Sequence, residues 1–389
     1  MKLVLYSHDW APKIGGVQTV TMLLAEGLAK RPPEKWGGEL ETIEVTLVTP
    51  TAPGEMDDAG FLFRVVRAPG LFRLMRLVRE SDIVHLAGPS IAPLMIGLLF
   101  RKRVVVEHHG FFTICPNGLL FYTRTQSLCV GHFMAGHHAE CIACNRREGS
   151  AKSVIQWGLT FLRRWLCKHV SANITPTHFL AEQLQLPRMA ISYHGVPMKT
   201  DGTLEAITSS VVTFAFLGRL VPSKGLPLLL RAAAELKLSG YPFQLVIVGD
   251  GPERKHLESM TNELHLETQV CFVGFVPDDQ LEGVLAPVTA IVVPSSIGEV
   301  FGLATAENMQ RGRIAIVPKG TAISEVAGNS GLTFPEGDLA GVVEAMKRII
   351  ADSDLRSRLS AAARERCQAV FGAEAMVTSH VAIYKSLSL

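Results

Sequence analysis

The sequence predicts an α/β protein made of two doubly wound domains, each built on a parallel sheet. The first observation is length, because 389 residues exceed what a single hydrophobic core usually serves. The second is a pattern of short apolar runs alternating with longer amphipathic segments, which runs through the first half, stops, and starts again. In the first half, Lys2–Ser7, Glu44–Val48, Ile83–Leu86, Val104–Glu107 and Ala172–Thr175 read as strands, with Gln18–Ala29, Phe72–Arg79 and Ile155–His169 as helices between them. In the second half, Val211–Leu217, Phe243–Val248, Val270–Phe272, Ala290–Val293 and Ile314–Val317 are β-rich. Helical stretches follow at Pro227–Leu238, Pro252–Leu264, Asp279–Leu285, Gly302–Gln310 and Ile323–Ala327. The predicted organisation is a first domain over 1–195, a Gly/Pro/Ser/Thr-rich linker over 196–210, a second domain over 211–368, and a helix within 369–389 that returns toward the first. Two such domains are expected to face a cleft at the carboxyl ends of their strands, where ligands normally bind.

Composition narrows the function classes. A chain that is 48% hydrophobic and 19% charged is neither disordered nor fibrous. Net charge is +2, but residues 1–200 carry 22 Lys and Arg against 15 Asp and Glu, and the remainder carries 16 against 21. A basic first half suits an anionic membrane surface or an acidic acceptor, and ordinary surface scatter accounts for it equally well. The basic and aromatic arrays of a nucleic-acid binder are missing. Met1–Leu5 runs straight into a strand without a signal core, and the longest apolar stretch, Ile91–Phe100, is broken by Pro93 and too short to span a bilayer. The expectation is a cytoplasmic protein whose seven cysteines are thiols or metal ligands rather than disulfides.

Three elements of the second half carry anion-handling chemistry. Gly218-Arg219-Leu220 ends a strand and leads to Lys224-Gly225, placing a planar guanidinium and a mobile ammonium where both can reach one phosphate. Val248-Gly249-Asp250-Gly251-Pro252 is a strand-to-helix turn with proline suited to the first helical turn. The third runs from Pro294 through Glu299, Phe301, Gly302 and Leu303 to Glu307. A helix beginning near Gly302 offers orphan amides and a positive dipole end to a diphosphate. Glu299 then precedes the helix and Glu307 projects about one and a half turns inside it. Taken singly, each element also fits a plain turn, a surface cation or a solvated carboxylate.

In this order and spacing the elements resemble the retaining glycosyltransferases of family 4, which have the two-domain GT-B fold. Phe272-Val273-Gly274-Phe275-Val276 and Gly331-Leu332-Thr333-Phe334 to Gly337-Asp338 extend the likeness, and Glu299 and Glu307 match the family's E-x7-E motif. The resemblance implies transfer of a sugar from a nucleotide diphosphate sugar, UDP- or GDP-linked, to a hydroxyl of a glycan or lipid-linked acceptor. It implies no organic cofactor and no catalytic metal. Arg219 and Lys224 would bind the diphosphate and stabilise the leaving group, and Glu307 would bond the ribose hydroxyls. Glu299 would contact the transferred sugar, the amides of Phe301-Gly302-Leu303 would hold sugar hydroxyls or phosphate, and the backbone around Phe275-Val276 would contact the base. Gly218 and Gly249 belong to the same donor loops. Asn308, where the family commonly has Ala, and the basic Arg311-Gly312-Arg313 depart from the pattern, and are expected to touch neither the cations nor the two glutamates. A non-catalytic nucleotide-sugar or glycan-binding regulator on the same fold is the rival reading.

The first half is less explicit. Ile14-Gly15-Gly16-Val17 follows the first strand and opens a helix, so Gly15 and Gly16 allow close approach of a ligand, beside the donor phosphates by the resemblance. Val104–Glu107 runs into His108-His109-Gly110, and a histidine at a strand's carboxyl end can bond a sugar hydroxyl or move a proton. The resemblance favours His109, with His108 as its competitor; His194 is expected to serve the interdomain crossover rather than chemistry. Cys115, Cys129, Cys141 and Cys144 fall in a loop-rich insertion at about 111–150 and have spacings suited to one structural Zn²⁺, with His132, His137 and His138 as further ligands. Redox-active thiols and an iron–sulfur cluster are the alternatives. Cys167 and Cys271 read as buried single residues. The helices Leu71–Arg79 and Ile155–His169 combine apolar and basic positions, as a helix on anionic lipid would, and as a helix packed on its own domain also can.

Overall fold

A computed structural model describes residues 1–12, 15–30, 42–53, 57–146, 149–197, 211–295 and 298–387. Most of the predicted linker, residues 198–210, and Ile14 lie outside them. The chain divides into two compact units, one of Met1–Arg124, Cys129–Pro197 and Phe371–Leu389, the other of Thr125–Leu128 and Met198–Val370.

The order through the first half is β1 (Lys2–Ser7), α1 (Gly16–Lys30), β2 (Glu44–Thr49), β3 (Arg64–Arg67), α2 (Leu71–Glu80), β4 (Ile83–Ala87), α3 (Ile91–Leu99), β5 (Arg103–Glu107), β6 (Phe121–Tyr122), β7 (Ser127–Leu128), α4 (His138–Asn145), α5 (Ser150–Cys167), β8 (Ala172–Thr175), α6 (His178–Leu184) and β9 (Met189–Ile191). Seven of these strands form one parallel sheet in the order β3-β2-β1-β4-β5-β8-β9. Its middle strands are buried throughout, β4 at all five positions and β5 after its first residue, as expected when helices cover both faces of a parallel sheet. Polar residues on those strands, His85 and Glu107 among them, are therefore held in the interior.

The second half runs β10 (Val212–Leu217), α7 (Leu226–Leu238), β11 (Phe243–Val248), α8 (Arg254–Glu263), β12 (Val270–Gly274), α9 (Asp278–Leu285), β13 (Val288–Val292), α10 (Leu303–Gln310), β14 (Ile314–Pro318), α11 (Ala322–Ala327), β15 (Leu332–Phe334), α12 (Leu339–Ala351) and α13 (Ser353–Val370). Its sheet is parallel in the order β12-β11-β10-β13-β14-β15. The order reverses at β10 and β13, a switch point of the kind where loops part and ligands enter. Phe214, Phe216, Leu230, Ile247 and Ile316 are all in its core. Local signals set the helix starts: Thr321 and Ser324 form a reciprocal capping box at α11, and the Asp338 carboxylate caps α12.

The last helix, α14 (Ala373–Ser386), belongs to the first unit. Val196 bridges Gly372, and α14 lies so close to α1 that a Cβ on Gly27 would meet Val377 Cγ2 at 2.4 Å. The apolar run that the sequence left unassigned holds α3, Ile91–Leu99, with Pro93 in its first turn, where no amide hydrogen is required. One reading of the sequence needs correction. Cys271 is exposed, because β12 is an edge strand and this residue faces away from the core.

Candidate functional site

In the second unit the anion-handling residues sit on loops at the carboxyl ends of β10, β11, β12 and β13, fixed to one another backbone to backbone. Gly218 adopts φ +147 and its amide donates to Val248 O at 3.0 Å; Gly249 adopts φ +128 and donates to Gly274 O at 2.8 Å. A Cβ on Gly249 would lie 2.0 Å from Gly218 O, and one on Gly251 would lie 2.3 Å from Leu220 O. These contacts, more than turn geometry, explain the glycines. Gly225, at φ +70, lets the loop after β10 approach Pro294 O, where a Cβ would come to 2.9 Å. Ser295 Oγ donates to Ser223 O at 3.2 Å across the same junction.

That junction joins Lys224 to Glu299, whose carboxylate accepts a hydrogen bond from Lys224 Nζ, with each side chain 24% exposed. Burial, and then the charge of Arg219, push Lys224 down to about 8. Arg219 itself is exposed. Glu299 is followed by Phe301, whose side chain is buried, and by Gly302 at φ +87, the N-cap of α10. Among the described residues no side chain caps that helix, whose N-cap stands three residues after Glu299 and which keeps its first amides open to an anion. Glu307 lies within α10, partly buried, and Phe275 stands 73% exposed beside Val276 after β12.

The two departures from the family pattern now have a structural account. Asn308 Nδ2 donates to Ala304 O at 2.7 Å, and its Oδ1 accepts from the fully buried Arg313 at 3.3 Å. Arg313 also donates to Leu285 O, and both Arg311 and Arg313 pair with Glu282 of α9. They brace the far end of α10. Contrary to expectation, one of them touches a motif glutamate: Arg311 Nη1 donates to the backbone carbonyl of Glu307 at 2.8 Å.

In the first unit a cavity of about 650 Å³ is lined by Gly16, Gln18, Gly88, His109, Phe112 and Arg163 among others. Gly15 lies one residue before α1, and its carbonyl accepts from Thr19 N at 3.0 Å. His109 borders this cavity, whereas His108 is fully buried, with Nε2 2.9 Å from Asn173 Oδ1, and burial draws it down to about 4. The ring nitrogens of His109 point inward, however. Nδ1 is 3.3 Å from His194 Nε2, and Nε2 is 3.8 Å from Glu107 Oε2. His194 thus joins the histidine chemistry from which the sequence reading separated it.

Glu107 is the residue that reading passed over. It is 2% exposed and surrounded by His85 at 3.1 Å, His380 at 3.4 Å, His194 at 3.5 Å and His109. Burial opposes its ionisation, but the field and hydrogen bonds of the histidines outweigh that and hold it well below the usual carboxylate range. A carboxylate ending the otherwise apolar run Arg103–Glu107 was the available signal; His85, His194 and His380 are too far apart in sequence to reveal it.

The insertion gathers its thiols without closing them into a ligand set. Cys141 and Cys144 lie one turn apart on α4, and both are buried together with Cys115. Cys115 Sγ donates to Asn117 Oδ1 at 2.9 Å, and Asn117 Nδ2 reaches Cys144 Sγ at 3.6 Å. Burial, and then the neighbouring thiols Cys115, Cys129 and Cys144, push Cys141 up to about 12. Among the described residues, no three of these sulfurs come within 4.8 Å of one another.

Residues 14–198 match the family model described as Glycosyltransferase Family 4, and residues 205–366 match that described as Glycosyl transferases group 1. Each half of the chain is thus similar to a glycosyltransferase family model. The alpha-D-kanosaminyltransferase of Streptomyces kanamyceticus is 27% identical over 176 residues, 45% of each chain. The lipopolysaccharide core biosynthesis glycosyltransferase LpsD of Rhizobium meliloti is 32% identical over 43% of this chain and 48% of its own. These matches span less than half of either relative. O-antigen chain mannosyltransferase C of Escherichia coli is 28% identical over 99% of this chain and 98% of its own. Among solved structures, Anabaena HepE in complex with UDP has TM-score 0.70 at 17% identity, covering all of both chains. Sucrose-phosphate synthase from Thermosynechococcus elongatus has TM-score 0.70 at 18% identity, over 100% of this chain and 99% of that one. The fold of this glycosyltransferase-like chain is GT-B, with two Rossmann-like units.

Proposed function

We propose that the protein transfers a sugar from a UDP- or GDP-sugar to a hydroxyl acceptor, with retention at the anomeric carbon. The observation that carries this reading is the Lys224–Glu299 pair at the uncapped start of α10, with Glu307 farther along the same helix. A diphosphate arriving there takes Lys224 from Glu299 and receives charge from Lys224, Arg219 and the α10 amides. Fixed donors of this kind stabilise a leaving group as charge develops on it, so the reading needs no catalytic metal. Freed of Lys224, Glu299 faces the transferred sugar, Glu307 holds the ribose, and the backbone of Phe275-Val276 meets the base. His109 and the Gly15-Gly16 turn serve the sugar and acceptor side.

The acceptor class is a glycan or lipid-linked saccharide, a reading supported by relatives described in lipopolysaccharide core and O-antigen synthesis. A membrane-facing role draws support from α2, where Leu71 and Phe72 are 60% and 87% exposed on a helix that carries Arg73, Arg76 and Arg79. No described helix is long and apolar enough to cross a membrane. Failure to co-sediment with anionic vesicles would remove the lipid contact.

The function is tested by measuring nucleotide release from a panel of UDP- and GDP-sugars with and without oligosaccharide and lipid-linked acceptors. The expected result is acceptor-dependent release with one donor. Tight donor binding without release under any acceptor would favour a nucleotide-sugar-binding regulator instead.

A further inference from the structure

The buried surroundings of Glu107 pose a charge problem that the donor chemistry leaves unaddressed. Glu107 ends β5 and is faced by His85 of β4, His380 of α14, His109, and His194 beyond β9. Among the described residues no Lys or Arg pairs with it. All four ring side chains are at most 7% exposed, so the carboxylate meets imidazole nitrogens on every side and little solvent. An uncompensated charge in a dry interior costs several kcal/mol, on the order of a whole domain's margin of stability.

The outer nitrogens show how the inner ones are used. His380 Nδ1 lies 2.9 Å from Met376 O, a carbonyl that can only accept, so Nδ1 carries the proton; Ser192 Oγ is a second neighbour at 3.1 Å. Were Ser192 to donate to Nδ1 instead, the Met376 carbonyl would face a bare nitrogen. With Nδ1 protonated, a neutral His380 directs the lone pair of Nε2 at Glu107 Oε2, and that Nε2 has no hydrogen-bond partner. At His85, Nδ1 is 2.5 Å from Tyr384 Oη, a hydroxyl that can donate or accept, and Nε2 hydrogen-bonds the same carboxylate oxygen at 3.1 Å, a position a metal ion would take over from the proton. Outer nitrogens tied to oxygen, with inner nitrogens converging on a carboxylate, form the arrangement that orients histidine ligands on a metal.

We propose that His85 Nε2, His380 Nε2 and Glu107 Oε2 bind one divalent transition-metal ion, most suitably Zn²⁺, as a buried structural site within the first unit. The three ligand atoms lie within 4.8 Å of one another, and the two nitrogens stand 3.1 and 3.4 Å from the oxygen. Bonds of about 2.0–2.1 Å at a tetrahedral angle separate ligand atoms by about 3.3 Å, so the spacing accommodates the ion with little movement. His109, whose Nε2 is 3.8 Å from the same oxygen, stands outside this three-residue group, which leaves the fourth position to water. The mixed nitrogen and oxygen set excludes neither Co²⁺ nor Ni²⁺ by softness, and Zn²⁺ is favoured by its ease with small tetrahedral sites. The ion neutralises Glu107 and ties the last helix of the chain to the middle of the sheet.

Metal analysis of full-length protein purified under reducing, chelator-free conditions tests this. About one ion per chain is expected, retained in a Cys141→Ser/Cys144→Ser variant and lost in Glu107→Gln and in His380→Gln. Independently of whether those two variants fold, the cysteine variant, stripped by chelator and titrated with Co²⁺, provides a second reading. It should gain the visible absorption of tetrahedral cobalt without thiolate charge transfer, together with a higher melting temperature. Absence of any ion, with no change in melting temperature on adding Zn²⁺ or Co²⁺, would overturn the site and leave a doubly protonated histidine as the counter-charge. An ion that disappears in the cysteine variant would overturn it as well, by placing the metal on the thiols.

Discussion

The donor loops of the second unit and the histidine cluster of the first are both held rigidly, by opposite means. The loops are joined through main chain: Gly218, Gly249, Gly251 and Gly225 let one strand-end turn touch the next, and every contact lies within a short window after a strand. The cluster is joined through side chains from β4, β5, α14 and the segment after β9, with His85 and Tyr384 separated by 299 positions. Main-chain contact leaves glycine as its mark in the sequence. Side-chain convergence leaves only scattered histidines.

The largest expected effect follows from removing the charge that the loops deliver. Lys224→Ala should lower the rate of nucleotide release roughly 10²–10³-fold with the fold intact, because it deletes a fixed donor to the leaving group. Glu307→Ala should cost roughly 10–100-fold, mostly in KM for the donor, as for the loss of a charged hydrogen bond. Near-native kinetics in both would detach the donor site from these loops. Gly249→Ala tests the main-chain joint: a Cβ 2.0 Å from Gly218 O forces the loops apart, at about 1–3 kcal/mol of stability, seen as a lower melting temperature together with weaker donor binding. An unchanged melting temperature would show that the loops are not interlocked.

A smaller effect comes from pH. Lys224 is drawn down to about 8, so it is charged below that value and loses its proton above it. Turnover should be level on the acid side and fall about tenfold per unit above about pH 8, with the limb absent in a Lys224→Arg variant that stays charged. The smallest change belongs to the other region. Tyr384→Phe removes one hydrogen bond to His85 and should cost about 1 kcal/mol in thermal or denaturant unfolding, with donor affinity unmoved. A parallel loss of donor affinity would mean that the two regions are coupled.

The same contrast sets how much was legible beforehand. Alternation of strand and helix revealed the two parallel sheets, and most predicted boundaries fall within two residues of the observed ones, because periodicity and turn glycines are local. The order Gly218, Arg219, Lys224, Glu299, Glu307 was legible for the same reason. The short elements β3, α3, β6, β7, α4, α6, β9 and β15 lack a long apolar period and went unseen, as did the longer α12 and α13 at the end of the second unit. Glu107 was read as the end of an apolar strand because nothing nearby in sequence marks its partners. His380 and Tyr384 lie on a helix whose return to the first half was expected, but whose place beside β4 and β5 is fixed by packing, through Gly27 against Val377 and through the cluster itself.

That return has a consequence for the order in which the chain can fold as it is made. Most of the first unit leaves the ribosome before the second, yet its interior is finished only by residues 371–387, which follow the whole of the second unit in sequence. Until then the buried-type carboxylate of β5 and histidine of β4 lack their partners on α14, while all of the second unit's residues have already emerged. Synthesis therefore leaves the amino-terminal unit waiting, and the carboxyl-terminal unit is the first able to complete its core.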